Sequence, residues 1–161
     1  MSSEAKDFYV RGPGGAILTR FWAGAHKAAY SPLTHFMIAA KCRTGVVLVV
    51  PEQGDWWTLP GGPVASKEPM VADAVARFEQ QTGLRALRPS VMGYFRMVSS
   101  ARVEYGALVI CTCDEAAAGN SGKAGAELRT WDCKGFLEGL DPVSATLAIV
   151  AASSRAWRSD D

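Results

Sequence analysis

One stretch, Leu59–Leu84, constrains the fold more than any other part of this chain: LPGGPVASKEPMVADAVARFEQQTGL. Pro60-Gly61-Gly62 open it as a loop. From Pro69 to Thr82 the apolar period becomes helical, with Val71, Ala74, Val75, Phe78 and Thr82 on one stripe. Pro69 suits a first helical turn and Gly83 suits the residue just past the last one. Loop, helix and stop are therefore all specified within one segment, and whatever precedes and follows it must supply the surface that the apolar stripe covers.

The flanking sequence supplies that surface as strands. Phe8 to Trp22 reads as a hairpin turning at Gly12-Pro13-Gly14-Gly15; no helix follows these glycines, so they lack the context of a phosphate-binding loop. HFMIAAKC from His35 and VVLVV from Val46 read as two buried strands around Arg43-Thr44-Gly45. Trp56 to Pro60 is extended. Ser90–Met97 and Val103–Thr112 are strands joined by the polar link 99–102, and Glu127–Asp132 is a further short strand. Asp114 to Gly125, small, polar and Gly-rich, is expected to be a mobile loop. Asp141-Pro142 marks a second helix, with Val143, Leu147 and Val150 in period, running to about Trp157. No repeat or linker divides the chain, so residues 1–161 read as one α+β domain with a mixed sheet between helices, residues 1–7 being expected to lack fixed structure.

Composition narrows the function classes. The chain of 161 residues is 48% hydrophobic and 20% charged, enough to bury a real core. A formal charge of +1 provides no global field for nucleic acid or an anionic membrane, and no apolar run approaches the roughly 20 residues that span a bilayer. A cytoplasmic protein is expected. Cys42, Cys111, Cys113 and Cys133 are too scattered for a disulfide scaffold and are expected as reduced thiols. Cys111 and Cys113 alternate along a strand and read as core. His26 and His35 show no metal-ligand spacing, and neither is given a role.

Within the central segment Gly62, Glu68, Gly83 and Leu84 stand in a fixed frame, with Phe78 at the bulky apolar place and Trp57-Thr58-Leu59-Pro60-Gly61 leading in. This frame resembles the Nudix box, and the order of strands and terminal helix is similar to the Nudix family across nearly the whole chain. The resemblance implies a Nudix-like α/β/α sandwich with its loop-helix-loop element at about 61–84. It also implies magnesium-dependent cleavage of nucleoside diphosphate derivatives by glutamates on the helix.

Those functional letters are replaced. Where the family carries Arg, then Glu, then a Glu-Glu pair, this chain has Ala76, Arg77, Gln80 and Gln81. Positions 77, 80 and 81 share one helix face, so they form one patch. Magnesium needs anionic oxygens there, whereas this patch is a cation beside two neutral amides. The expectation is therefore a small-molecule binder that takes a nucleotide-like or anionic, phosphorylated ligand without Nudix-type hydrolysis, as a sensor or specialised biosynthetic protein. Arg77, Gln80, Gln81, Gly61, Gly62, Trp57 and Arg96 are the candidate binding residues, with no metal. An active hydrolase with a rearranged magnesium site would rest on Asp73 and Glu127 as candidate catalytic residues, and a protein-interaction module is the third reading. Asp73 is placed to pair with Arg77 in the favoured acid-first order, and Glu68 reads as scaffold near the helix start. Twofold assembly is common and the resemblance implies it, so a homodimer is expected.

Overall fold

The computed structural model describes residues 5–24, 33–50, 55–64, 70–100, 102–113 and 127–154. Eight strands and two helices follow in the order β1 (Ala5–Arg11), β2 (Ile17–Ala23), β3 (His35–Cys42), β4 (Gly45–Val50), β5 (Gly61–Pro63), α1 (Met70–Thr82), β6 (Ala86–Val98), β7 (Val103–Cys113), β8 (Glu127–Trp131) and α2 (Pro142–Ala152). One mixed sheet runs β1-β2-β6-β7-β3-β4-β8, and β5 pairs with β3 off this path. Only β3 and β7 run parallel among the described strand pairs. The expected α+β sandwich is what forms. Residues 5–7, expected to lack fixed structure, instead begin the edge strand: Ala5 pairs with Trp22 and Lys6 with Phe21. The expected mobile loop from Asp114 lies outside the described residues. The terminal helix, expected to run to about Trp157, ends at Ala152, where Ser153 caps it and donates its backbone N–H to Val150 O.

The central strands are apolar on both faces because both faces are covered. Phe36, Ile38, Ala40 and Cys42 of β3, with Ala107, Val109, Cys111 and Cys113 of β7, pack with Ala74, Phe78 and Leu84 on the α1 side. Ala39, Leu48, Leu108, Ile110 and Phe95 pack with Val143, Leu147, Ala148 and Ala151 on the α2 side. The period-two alternation thus feeds two cores at once, and Cys111 and Cys113 take the core places expected of them.

The helix ends are chemically explicit. In α1, Thr82 Oγ1 donates to the Phe78 carbonyl at 2.7 Å and accepts from Leu84 N at 3.0 Å, while Gly83 turns the chain at φ 73°, a left-handed conformation that suits glycine. In α2, Asp141 is the N-cap: Oδ1 accepts from Val143 N at 3.1 Å and Oδ2 from Ser144 Oγ at 3.1 Å, with Pro142 at the first turn.

One departure from a regular sheet positions the site. β3 and β4 are paired only near their hairpin, at Lys41↔Val46 and Cys42↔Gly45. Beyond that they part, and the segment Trp57–Pro63 enters the gap. Thr58 bridges to Val49 of β4, Ile38 N donates to Pro60 O at 2.8 Å, and Gly61 and Gly62 pair with Met37 and Phe36 of β3.

Candidate functional site

The wedge between β3 and β4 is held from both faces of the sheet. On the α2 side, Ser144 Oγ accepts from Leu59 N at 3.0 Å and Asp141 N donates to Trp57 O at 2.9 Å. On the α1 side, Gln81 makes a reciprocal pair with the backbone of one residue: Gly61 N donates to Oε1 at 3.1 Å, and Nε2 donates to Gly61 O at 3.2 Å. An amide does this well because it presents one acceptor and one donor in a plane, matching a backbone N–H and C=O.

The two glycines are required for different reasons. A Cβ at Gly61 would lie 2.3 Å from Phe36 O, so only glycine lets this strand lie against β3. A Cβ at Gly62 would lie 2.6 Å from Arg77 Nε and 2.6 Å from Nη2. The guanidinium of Arg77 therefore lies directly on Gly62. The ion pairs formed between described residues are Arg20–Asp7 and Arg102–Glu104, and Arg77 belongs to neither; the side chain packs on the loop rather than forming the Asp73 pair that the spacing favoured.

A cavity of about 340 Å³ opens beside this contact, lined by His35, Phe36, Met37, Val49, Thr58, Leu59, Gly61, Gly62 and Gln81. His35 also borders a neighbouring cavity of about 380 Å³ with Thr34, Pro63, Met97 and Glu104. Its Nδ1 lies 2.9 Å from Thr34 Oγ1 and its ring meets Phe95 edge-on at 5.3 Å. Burial lowers the His35 pKa below the usual histidine value, and the Glu104 carboxylate opposes this only in part. Burial thus favours the neutral imidazole at this rim.

The sequence-derived residues divide clearly. Gly61, Gly62, Arg77 and Gln81 come together. Gln80 shares their helix face but is exposed. Asp73 lies in the first turn of α1, half-buried, one turn from Arg77. Glu127 opens β8, exposed, and pairs with Val50 one strand outside the wedge. Trp57 anchors the wedge: its backbone N–H donates to Gly139 O at 2.7 Å, and the Arg129 guanidinium stacks over its ring at 5.2 Å.

Arg96 stands apart. It pairs in register with Arg20 and Tyr105, its Nε donates to Thr19 Oγ1 at 2.8 Å, and the row from it to β5 crosses three strand spacings, about 14 Å. Tyr94, Phe95 and Trp131 are buried core. Glu68, Asp114, Glu115 and His26 lie outside the described residues. His35, Met37 and Thr58 were not singled out as site residues, because nothing in their spacing distinguishes rim from core.

No family model and no curated protein matches the sequence. Solved structures do. A pyrophosphohydrolase from Bacillus subtilis superposes with a TM-score of 0.65 at 12% identity, covering 95% of this chain and 97% of that one. The fold is the Nudix fold. A MutT Nudix hydrolase from Burkholderia pseudomallei gives a TM-score of 0.55 at 18% identity, covering 71% of this chain and 94% of that one. A MutT protein from Bacillus halodurans gives 0.56 at 16% identity over 74% and 82%. On this Nudix fold, Gly61–Pro63 is the strand that leads into α1, and the Arg77–Gly62 and Gln81–Gly61 contacts join that strand to the helix.

Proposed function

We propose that this Nudix-fold protein binds a small anionic molecule, phosphorylated or nucleotide-like, in the cleft between β3, β5 and α1, without Nudix-type hydrolysis. The observation that carries the reading is the guanidinium of Arg77 lying on Gly62, a residue that lines the cleft. Arginine presents several N–H donors in a rigid fork suited to phosphate or carboxylate oxygens, and it keeps its charge at any physiological pH. Gln81 holds Gly61 in place, so the strand on which the guanidinium lies is pre-arranged.

The donor set does not fit magnesium. The Gln81 carbonyl already accepts from Gly61 N, Gln80 is exposed and neutral, and Arg77 adds positive charge where a cation would sit. Coulomb repulsion opposes a dication there, and a neutral amide does not replace the charge of a carboxylate. Among the described residues that line the cleft there is one imidazole, His35, and no carboxylate, so the anionic oxygens that metal-dependent cleavage needs are missing from it, a combination that suits retention of a ligand better than its hydrolysis.

A thermal-shift screen tests this reading. Nucleotides, sugar nucleotides and isoprenoid diphosphates are each presented with magnesium and with a chelator. A shift that survives the chelator and disappears in Arg77→Ala is expected. Release of phosphate products dependent on magnesium, and lost in Asp73→Asn or Glu127→Gln, would establish the hydrolase instead. The binding reading extends to a twofold assembly in the cytoplasm, which sedimentation and fractionation would test.

A further inference from the structure

At the end of the sheet next to the β3–β4 hairpin, two thiols on neighbouring strands face one another. β3 and β7 run parallel, and their register reaches Lys41↔Thr112, so the next pair along the two strands is Cys42 and Cys113. Both side chains belong to the core on the α1 side and are nearly closed off, at 5% and 9% exposure. Neighbouring strands lie about 4.8 Å apart, within the roughly 4.4–6.8 Å of Cα separation that a disulfide spans. Thr44 Oγ1 lies 3.6 Å from the Cys42 sulfur, and Gly45 O lies 3.4 Å from it.

We propose that Cys42 and Cys113 are a peroxide-oxidisable pair whose product is a disulfide joining β3 to β7. The Cys42 sulfur attacks one peroxide oxygen, the O–O bond breaks, and hydroxide leaves and takes a proton as water. The resulting sulfenic acid is then attacked by the Cys113 sulfur. The S–S bond forms as the S–O bond breaks, and the hydroxyl leaves with the Cys113 proton as a second water. Both thiols are oxidised and one peroxide is reduced, so no further reductant or oxidant is needed.

Three observations separate this pair from the other cysteines. The Cys42 pKa is lowered to about 5, first by the hydrogen bond from Cys113 and then, against the opposing effect of burial, by those from Thr44 and Gly45. Burial pushes Cys111 up to about 12 and Cys133 up to about 11, so both stay protonated. Cys133 moreover packs with the opposite core and approaches the carbonyls of Trp131 and Ala148. Because Cys42 is 5% exposed, the oxidant must be small: a peroxide can reach it, and a bulky disulfide such as oxidised glutathione cannot.

The test uses the full chain, reduced and then exposed to hydrogen peroxide or to oxidised glutathione, with thiol counting after denaturation and peptide mapping. Peroxide is expected to consume two of the four thiols and to yield a Cys42–Cys113 cross-link, while oxidised glutathione consumes none. In Cys113→Ser, peroxide is expected to leave a sulfenic acid at Cys42 that dimedone traps; in Cys42→Ser the remaining three thiols persist over the same exposure. Wild-type mapping stands independently of whether either variant folds. Oxidation of Cys133 or Cys111 ahead of Cys42, a cross-link elsewhere, or four thiols surviving peroxide would overturn the proposal.

Discussion

The two helices cover opposite faces of one sheet and grip the same inserted segment, yet they are built differently. α2 is almost wholly apolar, with Val143, Ser144, Leu147, Ala148 and Ala151 buried, and reaches the wedge only through its first turn, where Asp141 and Ser144 hold Trp57 and Leu59. α1 buries Ala74 and Phe78 and spends its other edge on Arg77 and Gln81, which hold Gly62 and Gly61 beside a cavity. The difference teaches where chemistry can reside on this Nudix fold. The α2 contacts are closed and buried, whereas the α1 contacts place a positive charge on Gly62, which lines a space of about 340 Å³.

Core loss on the α1 side should break the comparison most severely. Phe78 is fully buried against β3 and β7, so Phe78→Ala is expected to cost about 3–5 kcal/mol and to loosen the whole helix. Urea denaturation measures this. Gln81→Ala removes two hydrogen bonds between helix and wedge and should cost about 2 kcal/mol. Gln81→Glu should lose nearly as much, because a carboxylate cannot donate to Gly61 O. Restoring a family-like acid here would consequently disturb the loop, a result that thermal melting of both variants would show.

On the α2 side the expected effect is smaller and depends on the substituent. Asp141→Ala removes the N-cap and should cost about 1 kcal/mol. Burial raises the Asp141 pKa, so ionising it costs the folded state; Asp141→Asn should keep the bond from Val143 N but lose the acceptor for Ser144 Oγ, and so cost less than Asp141→Ala. If both substitutions proved equally damaging, the charge rather than the hydrogen bonds would be holding the cap.

The smallest effect is a pH dependence. Burial lowers the His35 pKa, so the unfolded chain binds its proton first as pH falls. The folded state's advantage is present above the unfolded value of 6.5 and is lost as pH drops from there toward the lowered folded value. Stability curves of wild type and His35→Gln across that interval should converge at the acid end if the account is right.

Most of the fold was legible because each element carries its own signal. The switch from period two to a helical period at Met70, Gly83 past the helix end, and Asp141-Pro142 before α2 are local chemistry that needs no tertiary information. The parting of β3 from β4 was not legible, since HFMIAAKC and VVLVV read as an ordinary hairpin and the wedge depends on contacts from residues far along the chain. Arg77 and Gln81 were legible as one helix face. Their partners were not: spacing favoured Asp73 for Arg77, while the loop geometry gives it Gly62, and Gln81 meets a backbone rather than solvent. Arg96 was grouped with them on residue type alone, and sheet topology sets it three strands away from β5.

The central claim is that Arg77 replaces metal-bridged recognition with direct recognition of an anion. Calorimetric titration of the protein with inorganic diphosphate, in chelator and then in magnesium, tests it most directly, with Arg77→Ala alongside. Binding that persists in chelator and is lost in Arg77→Ala is the predicted result. Binding that appears only with magnesium, or that Arg77→Ala leaves intact, would contradict it.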